Sequence, residues 1–291
     1  MIDYLKESTF AVKDVIMQAW RVTRDNYFSI ATLCFLIFIT ASTSTFMAFF
    51  MKELHIGIRI IMLSIFVVCY CVLQLCLIKY LFKLLDNAEN DIKIVDTLPT
   101  RLQIVRFLIG MTYLGISIIL VGVLLLPVLY IVDLVLKSLV NYNIIDSYTY
   151  IGEIIVSIAK NIAFLSGFLI FIRIIFFPFF IIDKQSTSFE AIKLSLATTK
   201  GNFIKLIFIL AGLGLIQYFV YEFFHIVIIM GFRLINLFFN YEINQYVSIL
   251  AIIFSSFVIV PFTTAFTTIV YRKIMSEYKG DEHPDIIHNL V

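Results

Sequence analysis

The residues of this chain best suited to chemistry lie within long apolar runs. Gln217, Tyr221 and His225 recur at i, i+4 and i+8 on a predicted helix, with Glu222 beside them, and Arg173 interrupts the run before it. A charge at mid-bilayer costs about 2.5–3.5 kcal/mol on insertion scales, so such residues face protein or water. Arg173 stands ten residues before Asp183, ~15 Å by helical rise; Glu222 stands 17 residues beyond Lys205, ~25 Å by the same measure. A polar path for a proton or solute is one reading of this set. An interhelical bond network, with Arg173 reaching towards phosphates, is the reading adopted.

Other constellations are sparse. The chain has four histidines, His55, His225, His283 and His288. His283 and His288, with Asp281, Glu282 and Asp285, form a polar tail whose composition suits solvent better than a metal. No HExxH, paired-acid motif or Gly-rich phosphate loop occurs. The cysteines, Cys34, Cys69, Cys71 and Cys76, fall inside apolar runs and read as small apolar residues. Threonines and serines at 40–45 and 263–268 suit close helix contacts. The expectation is no enzyme activity, no metal and no cofactor.

What must position these residues is a membrane bundle. Hydrophobic residues make up 61% of the chain and charged residues 14%, with a mean hydropathy of +1.00. Soluble domains carry about 25% charged residues. The net charge of +2 gives no reason to expect nucleic acid. Apolar runs predict six transmembrane helices at about 27–51, 60–80, 107–132, 161–182, 204–232 and 246–271. Each has about the 20 residues needed to cross ~30 Å, and in lipid such runs satisfy their backbone only as helices. Pro127, Pro178 and Pro261 fall in three of them and predict kinks. The first 26 residues carry charges throughout and lack the apolar core of a cleavable signal.

Basic residues set the orientation. Lys6, Lys13, Arg21 and Arg24 precede the first span; Lys79, Lys83, Lys93, Arg101 and Arg106 follow the second. Lys184, Lys193, Lys200 and Lys205 follow the fourth, and Arg272, Lys273 and Lys279 follow the sixth. The alternate connections hold only Lys52, Arg59, Lys137, Lys160 and Arg233. Both termini are therefore expected on the cytoplasmic side of a bacterial inner membrane.

Between the spans lie amphipathic phrases. "TSFEAIKLSLATTKGN" (187–202) opens with Thr187 and Glu190 at capping-box spacing, and Phe189, Ile192 and Leu196 form a stripe. Gly201 is expected to end this helix in a left-handed conformation and Asn202 to cap the next. Near the N-terminus, Val12, Val15, Ile16, Ala19 and Trp20 form a similar stripe, and Thr23–Tyr27 aligns with Thr199–Phe203 at an offset of 176 residues. A weaker copy occupies 91–103. The predicted fold is thus an all-α integral membrane protein built of three parallel units, each a cytoplasmic elbow helix followed by two spans. Residues 1–26 form the first elbow, 27–273 the six-span domain and 274–291 a cytoplasmic tail. Arg24, Asn26, Lys200, Gly201 and Asn202, at the elbow turns, are expected to hold anionic lipid headgroups.

Pro178, Asp183, Glu190–Ala191, Ser195 and Thr199–Lys200–Gly201–Asn202 resemble the signature before the fifth span in bacterial six-helix proteins. That group includes the membrane domain attached to some glycerophosphodiester phosphodiesterases. Only 18 residues follow Lys273, so the resemblance implies a membrane module without that activity. The functional expectation is a non-enzymatic inner-membrane protein: a scaffold or accessory subunit, or an organiser of lipids. Its partners would be membrane lipids and a further membrane protein. The alternative is a transporter of a small or amphiphilic solute along the polar face of the fifth span.

Overall fold

In a computed structural model, residues 1–7, 9–50, 55–86, 92, 94–141, 148–239 and 244–276 are described. The elements are α1 (Ile2–Glu7), α2 (Val12–Asp25), α3 (Tyr27–Phe50), α4 (Ile56–Asp86), a 3₁₀ turn (Ile94–Thr97), α5 (Arg101–Asn141), α6 (Tyr148–Ile174), α7 (Phe177–Asp183), α8 (Ser188–Phe239) and α9 (Asn244–Ser276). No strand occurs among the described residues. Six helical stretches are long and apolar enough to cross a membrane. The histidine-bearing tail lies outside the described residues.

The six long helices form a ring in chain order. Each packs on its sequence neighbour, α3 on α4, α4 on α5, α5 on α6, α6 on α8 and α8 on α9, and α9 returns to α3. Packing is concentrated at one end. Buried residues cluster at the start of α3 (Ile30, Leu33), the end of α4 (Cys71–Phe82), the start of α8 (Ala191–Leu206) and the end of α9 (Ala265–Met275). This end, the base of the ring, also carries most of the basic residues. Beyond it the helices present large apolar side chains outward, such as Ile119, Leu120, Phe208 and Phe219. Such a surface is stable only against lipid or protein.

Short elements knit the base. α2 packs on α9, its Val15 and Ala19 are fully buried, and Trp20, 61% exposed, meets Phe262 edge-on at 6.4 Å. Lys6 bonds Asp3 at 2.8 Å within α1, which holds the Asp3 carboxyl below its usual range. Lys205 reaches Thr9 and the Phe10 carbonyl, fastening α8 to the α1–α2 connection. Arg106 donates to the carbonyls of Gln185 and Ser186, and Ser188 returns a 2.6 Å bond to the Arg106 carbonyl. Gln185 has φ of 51°, a left-handed conformation costly for a residue with a side chain, and Arg106 bonds the carbonyl of that strained residue.

The elbows differ from expectation in three ways. First, α8 runs unbroken through Gly201 for 52 residues, so Gly201 is helical and no left-handed cap forms there. At ~1.5 Å per residue α8 is ~78 Å long, elbow and span fused. Helical hydrogen bonding continues because neither Gly201 nor Asn202 removes a donor. Second, the inward face of this segment is Ala191, Ser195, Thr198, Thr199 and Asn202, all buried, whereas Phe189 of the expected stripe is 59% exposed. Small residues let α8 approach its neighbours closely, and Phe189 is left to cover Lys193, whose ammonium lies 4.6 Å from its ring centre. Third, the described residues of the segment 91–103 hold the 3₁₀ turn and then the start of α5, with no separate elbow helix among them. Thr100 and Gln103 form a reciprocal capping box there (2.9 and 3.3 Å), which starts α5 directly.

At the offset of 176, Val15, Ala19 and Thr23 correspond to Ala191, Ser195 and Thr199, all buried. Asn26 and Asn202 also make the same bond, each amide donating to the carbonyl four residues earlier, Val22 and Thr198 (3.2 and 3.3 Å). α2 nonetheless ends at Asn26, where the backbone leaves helical geometry, and α8 does not end at Asn202.

Candidate functional site

Pro178 organises the centre of the base. A proline within a helix removes one donor and crowds the carbonyl four residues before it, here that of Ile174. α6 duly stops at Ile174, and the chain turns through Ile175 and Phe176 and restarts as α7 with Pro178 in its first turn. Pro127 and Pro261 lie inside the unbroken helices α5 and α9. The break frees backbone groups that α8 takes up. The Phe176 amide donates to Ser195 Oγ at 3.1 Å, and the Ser195 hydroxyl donates to the Arg173 carbonyl at 3.1 Å. Thr199 Oγ1 lies 3.2 Å from the same carbonyl. α7 then packs on α4, α5 and α8 and closes the base of the ring.

α7 ends in Asp183, the centre of a charged cluster. Arg272 spans two carboxylates, Asp86 at 2.6 Å and Asp183 at 3.3 Å, and its guanidinium carbon stacks 4.2 Å from the Phe82 ring centre. The Tyr271 hydroxyl donates to Asp183 at 2.9 Å, and Lys184 stands 3.8 Å away. Arg272 thereby ties α4, α7 and α9 together. Asp86, Asp183, Lys184 and Arg272, with Gln18 and Lys273, line an open cavity of about 470 Å³ at the base. Two carboxylates face three cations, so the rim carries one excess positive charge.

A second cavity, of about 510 Å³, lies inside the ring. α4, α5, α6, α7, α8 and α9 all contribute to its wall, which is mostly apolar, and Phe177, Pro178 and Phe179 belong to it at the base. Its polar residues are Tyr70 and Gln74 on α4 and Thr263, Thr264 and Thr267 on α9.

Of the expected polar set, Tyr221, Glu222 and His225 stand together on α8 and Gln217 bonds across to α9, while Arg173 stands apart from them. Arg173 sits at the base, its guanidinium 5.7 Å from the Phe203 ring centre. Glu222 is 19 residues beyond Phe203 on α8, about 30 Å by helical rise, so the two do not meet. Glu222 instead lies 3.9 Å from His225, and its side chain is 38% exposed. Tyr221 stacks on His225 at 5.6 Å, and Gln217 turns to Ser255 of α9 at 2.9 Å. None of Gln217, Tyr221, Glu222 and His225 lines a described cavity.

Of the expected headgroup residues, Arg24 and Lys200 are exposed, and Arg24 pairs with Asp25 at 3.0 Å. Asn202 is fully buried and cannot reach a headgroup. Asn26 is half-buried in the α2–α3 turn. Three or more metal-ligating side chains do not gather anywhere among the described residues.

No family model matches the chain, and it matches neither a curated protein nor a solved structure.

Proposed function

We propose that this is a non-enzymatic, multi-pass protein of the bacterial inner membrane that organises lipids at its cytoplasmic face, as a scaffold or accessory subunit of a membrane complex. The observation that supports this reading is the charged cavity at the base. Lys184 and Lys273 stand exposed on its rim, while Arg272 is held by Asp86 and Asp183. Lys and Arg near an anionic leaflet each contribute about 1 kcal/mol of attraction, and the fixed guanidinium orients what they attract. Trp20, Arg24 and Lys200, exposed on the same end, extend that basic, interfacial surface. Both termini lie on the cytoplasmic side in this reading, following the basic residues.

The resemblance to the phosphodiesterase-associated membrane domains remains part of the proposal. Its signature residues have physical work here: Pro178 breaks the span, Ser195 and Thr199 bond the freed backbone, and Asp183 anchors Arg272. A parallel repeat of elbow and spans is likewise proposed, for the α2–α3 and α8 segments, on the matched burial at an offset of 176.

Transport of an amphiphilic solute is the second reading. The central cavity favours it, rather than the Gln217–His225 face first expected to carry it.

The test is native mass spectrometry of the full chain purified in mild detergent. Wild type should retain anionic phospholipids, and Lys184→Gln/Lys273→Gln protein should retain fewer at unchanged thermal stability. Equal retention by the two proteins contradicts the lipid-organising reading.

A further inference from the structure

We infer that the central cavity is a binding site for a neutral acylglycerol, a lipid with apolar chains, an ester carbonyl and a free hydroxyl. This deepens the lipid-organising reading by naming a second lipid, at a site separate from the charged rim.

The volume, about 510 Å³, falls within the roughly 300–1,000 Å³ of ligand sites, which are mostly apolar with a few convergent polar groups. No Lys, Arg, Asp, Glu or His lines it. At this depth a ligand charge would go unpaired and cost several kcal/mol, so the ligand is neutral. Ordered water needs two to four polar partners, and most of this wall offers none.

The polar groups select the ligand's oxygens. Tyr70 and Gln74 are one helical turn apart on α4, and among the described residues neither side chain has a hydrogen-bond partner. An amide and a phenol left unpaired in a membrane interior cost free energy that a ligand carbonyl recovers, since both can donate to it. The α9 threonines are the complement. Thr263, Thr264 and Thr267 donate to the carbonyls of Ile259, Val260 and Thr263 at 2.8–2.9 Å. Thr264 also bonds the Cys34 side chain. The protons of Thr263 and Thr267 are committed and their lone pairs are not, so these two accept a hydrogen bond from a ligand hydroxyl. One wall that donates and another that accepts fits a molecule bearing both an ester carbonyl and a hydroxyl. A quinone offers acceptors alone.

Space for the first part of each chain is present as well, and the remainder would extend from the cavity into the surrounding lipid. Gly115 of α5 and Gly167 of α6 line the cavity, and a Cβ added at either meets nothing within 4 Å. The absent side chains thus leave open volume that a larger residue would fill.

The probe is 1,2-dioleoylglycerol, added to the full chain in phosphatidylcholine nanodiscs and followed by native mass spectrometry and thermal shift. Wild type should retain one molecule and melt higher. Gly115→Leu/Gly167→Leu protein should lose it while keeping the anionic lipids of the charged rim. Gln74→Leu, which adds no bulk, should weaken binding about tenfold, the worth of one hydrogen bond. Thr263→Val should weaken the diacylglycerol but leave methyl oleate, which lacks a hydroxyl, unchanged. No retention by wild type, or equal retention when the cavity is filled, overturns the site. Methyl oleate or a quinone binding as tightly as the diacylglycerol overturns the assignment of its hydroxyl. Failure of the rim variants to lose anionic lipid would count against the broader reading without touching this one.

Discussion

Ser195 Oγ accepts the amide hydrogen of Phe176 at 3.1 Å and so bridges the elbow of α8 to the break in the fourth span. The bond exists because Pro178 opens the helix. Ser195→Ala should therefore lower stability by about 1–3 kcal/mol, the cost of a buried donor left unpaired. In a Pro178→Ala background the span can close its own ladder, and the same change should cost under about 0.5 kcal/mol. The coupling is read as a double-mutant cycle of detergent-denaturation midpoints. Equal costs in both backgrounds would contradict the capping role.

Gly201 lies in the interior of α8 and is exposed. Helix interiors favour Ala over Gly by roughly 0.5–1 kcal/mol. Gly201→Ala should therefore raise thermal stability, whereas a left-handed cap would make the same substitution destabilising. A lower melting temperature for the variant would restore the turn expected from the sequence.

Arg173 and Glu222 should be energetically independent. Sites far apart with no shared partner add within about 0.3–0.5 kcal/mol, so the cycle Arg173→Gln with Glu222→Gln should show no coupling beyond that. Gln217→Leu with Ser255→Ala, which share a 2.9 Å bond, should couple by about 0.5–1.5 kcal/mol. Reversal of this order would put the buried polar set back together.

These cases mark what could be read from residues alone. The six long apolar helices were legible because an apolar run long enough to cross a membrane has one backbone solution there. The start of α8 was legible in part, since Glu190 reaches back to the Thr187 amide at 3.3 Å, a strictly local bond. Gly201 misled because Thr-Lys-Gly-Asn carries cap chemistry, yet burial of Thr198, Thr199 and Asn202 on one continuous face favours the helix. Signature positions such as Ser195 and Asp183 were visible, but their partners were not. Phe176 is 19 residues from Ser195, and Arg272 is 89 from Asp183, so both pairings depend on where the chain folds back. Gln74 is a neutral amide, so it leaves no mark in the charge pattern; its position inside an otherwise apolar run is the signal the sequence carries.

The central claim is that the packed, basic base faces the cytoplasm and the spans run outward from it. It is tested most directly by labelling intact cells with a membrane-impermeant maleimide. Lys184→Cys, on the exposed rim of the base, should react only after the cells are permeabilised. Ile56→Cys, exposed at the opposite end of α4, should react in intact cells. Labelling of residue 184 in intact cells, with residue 56 protected, would contradict the account.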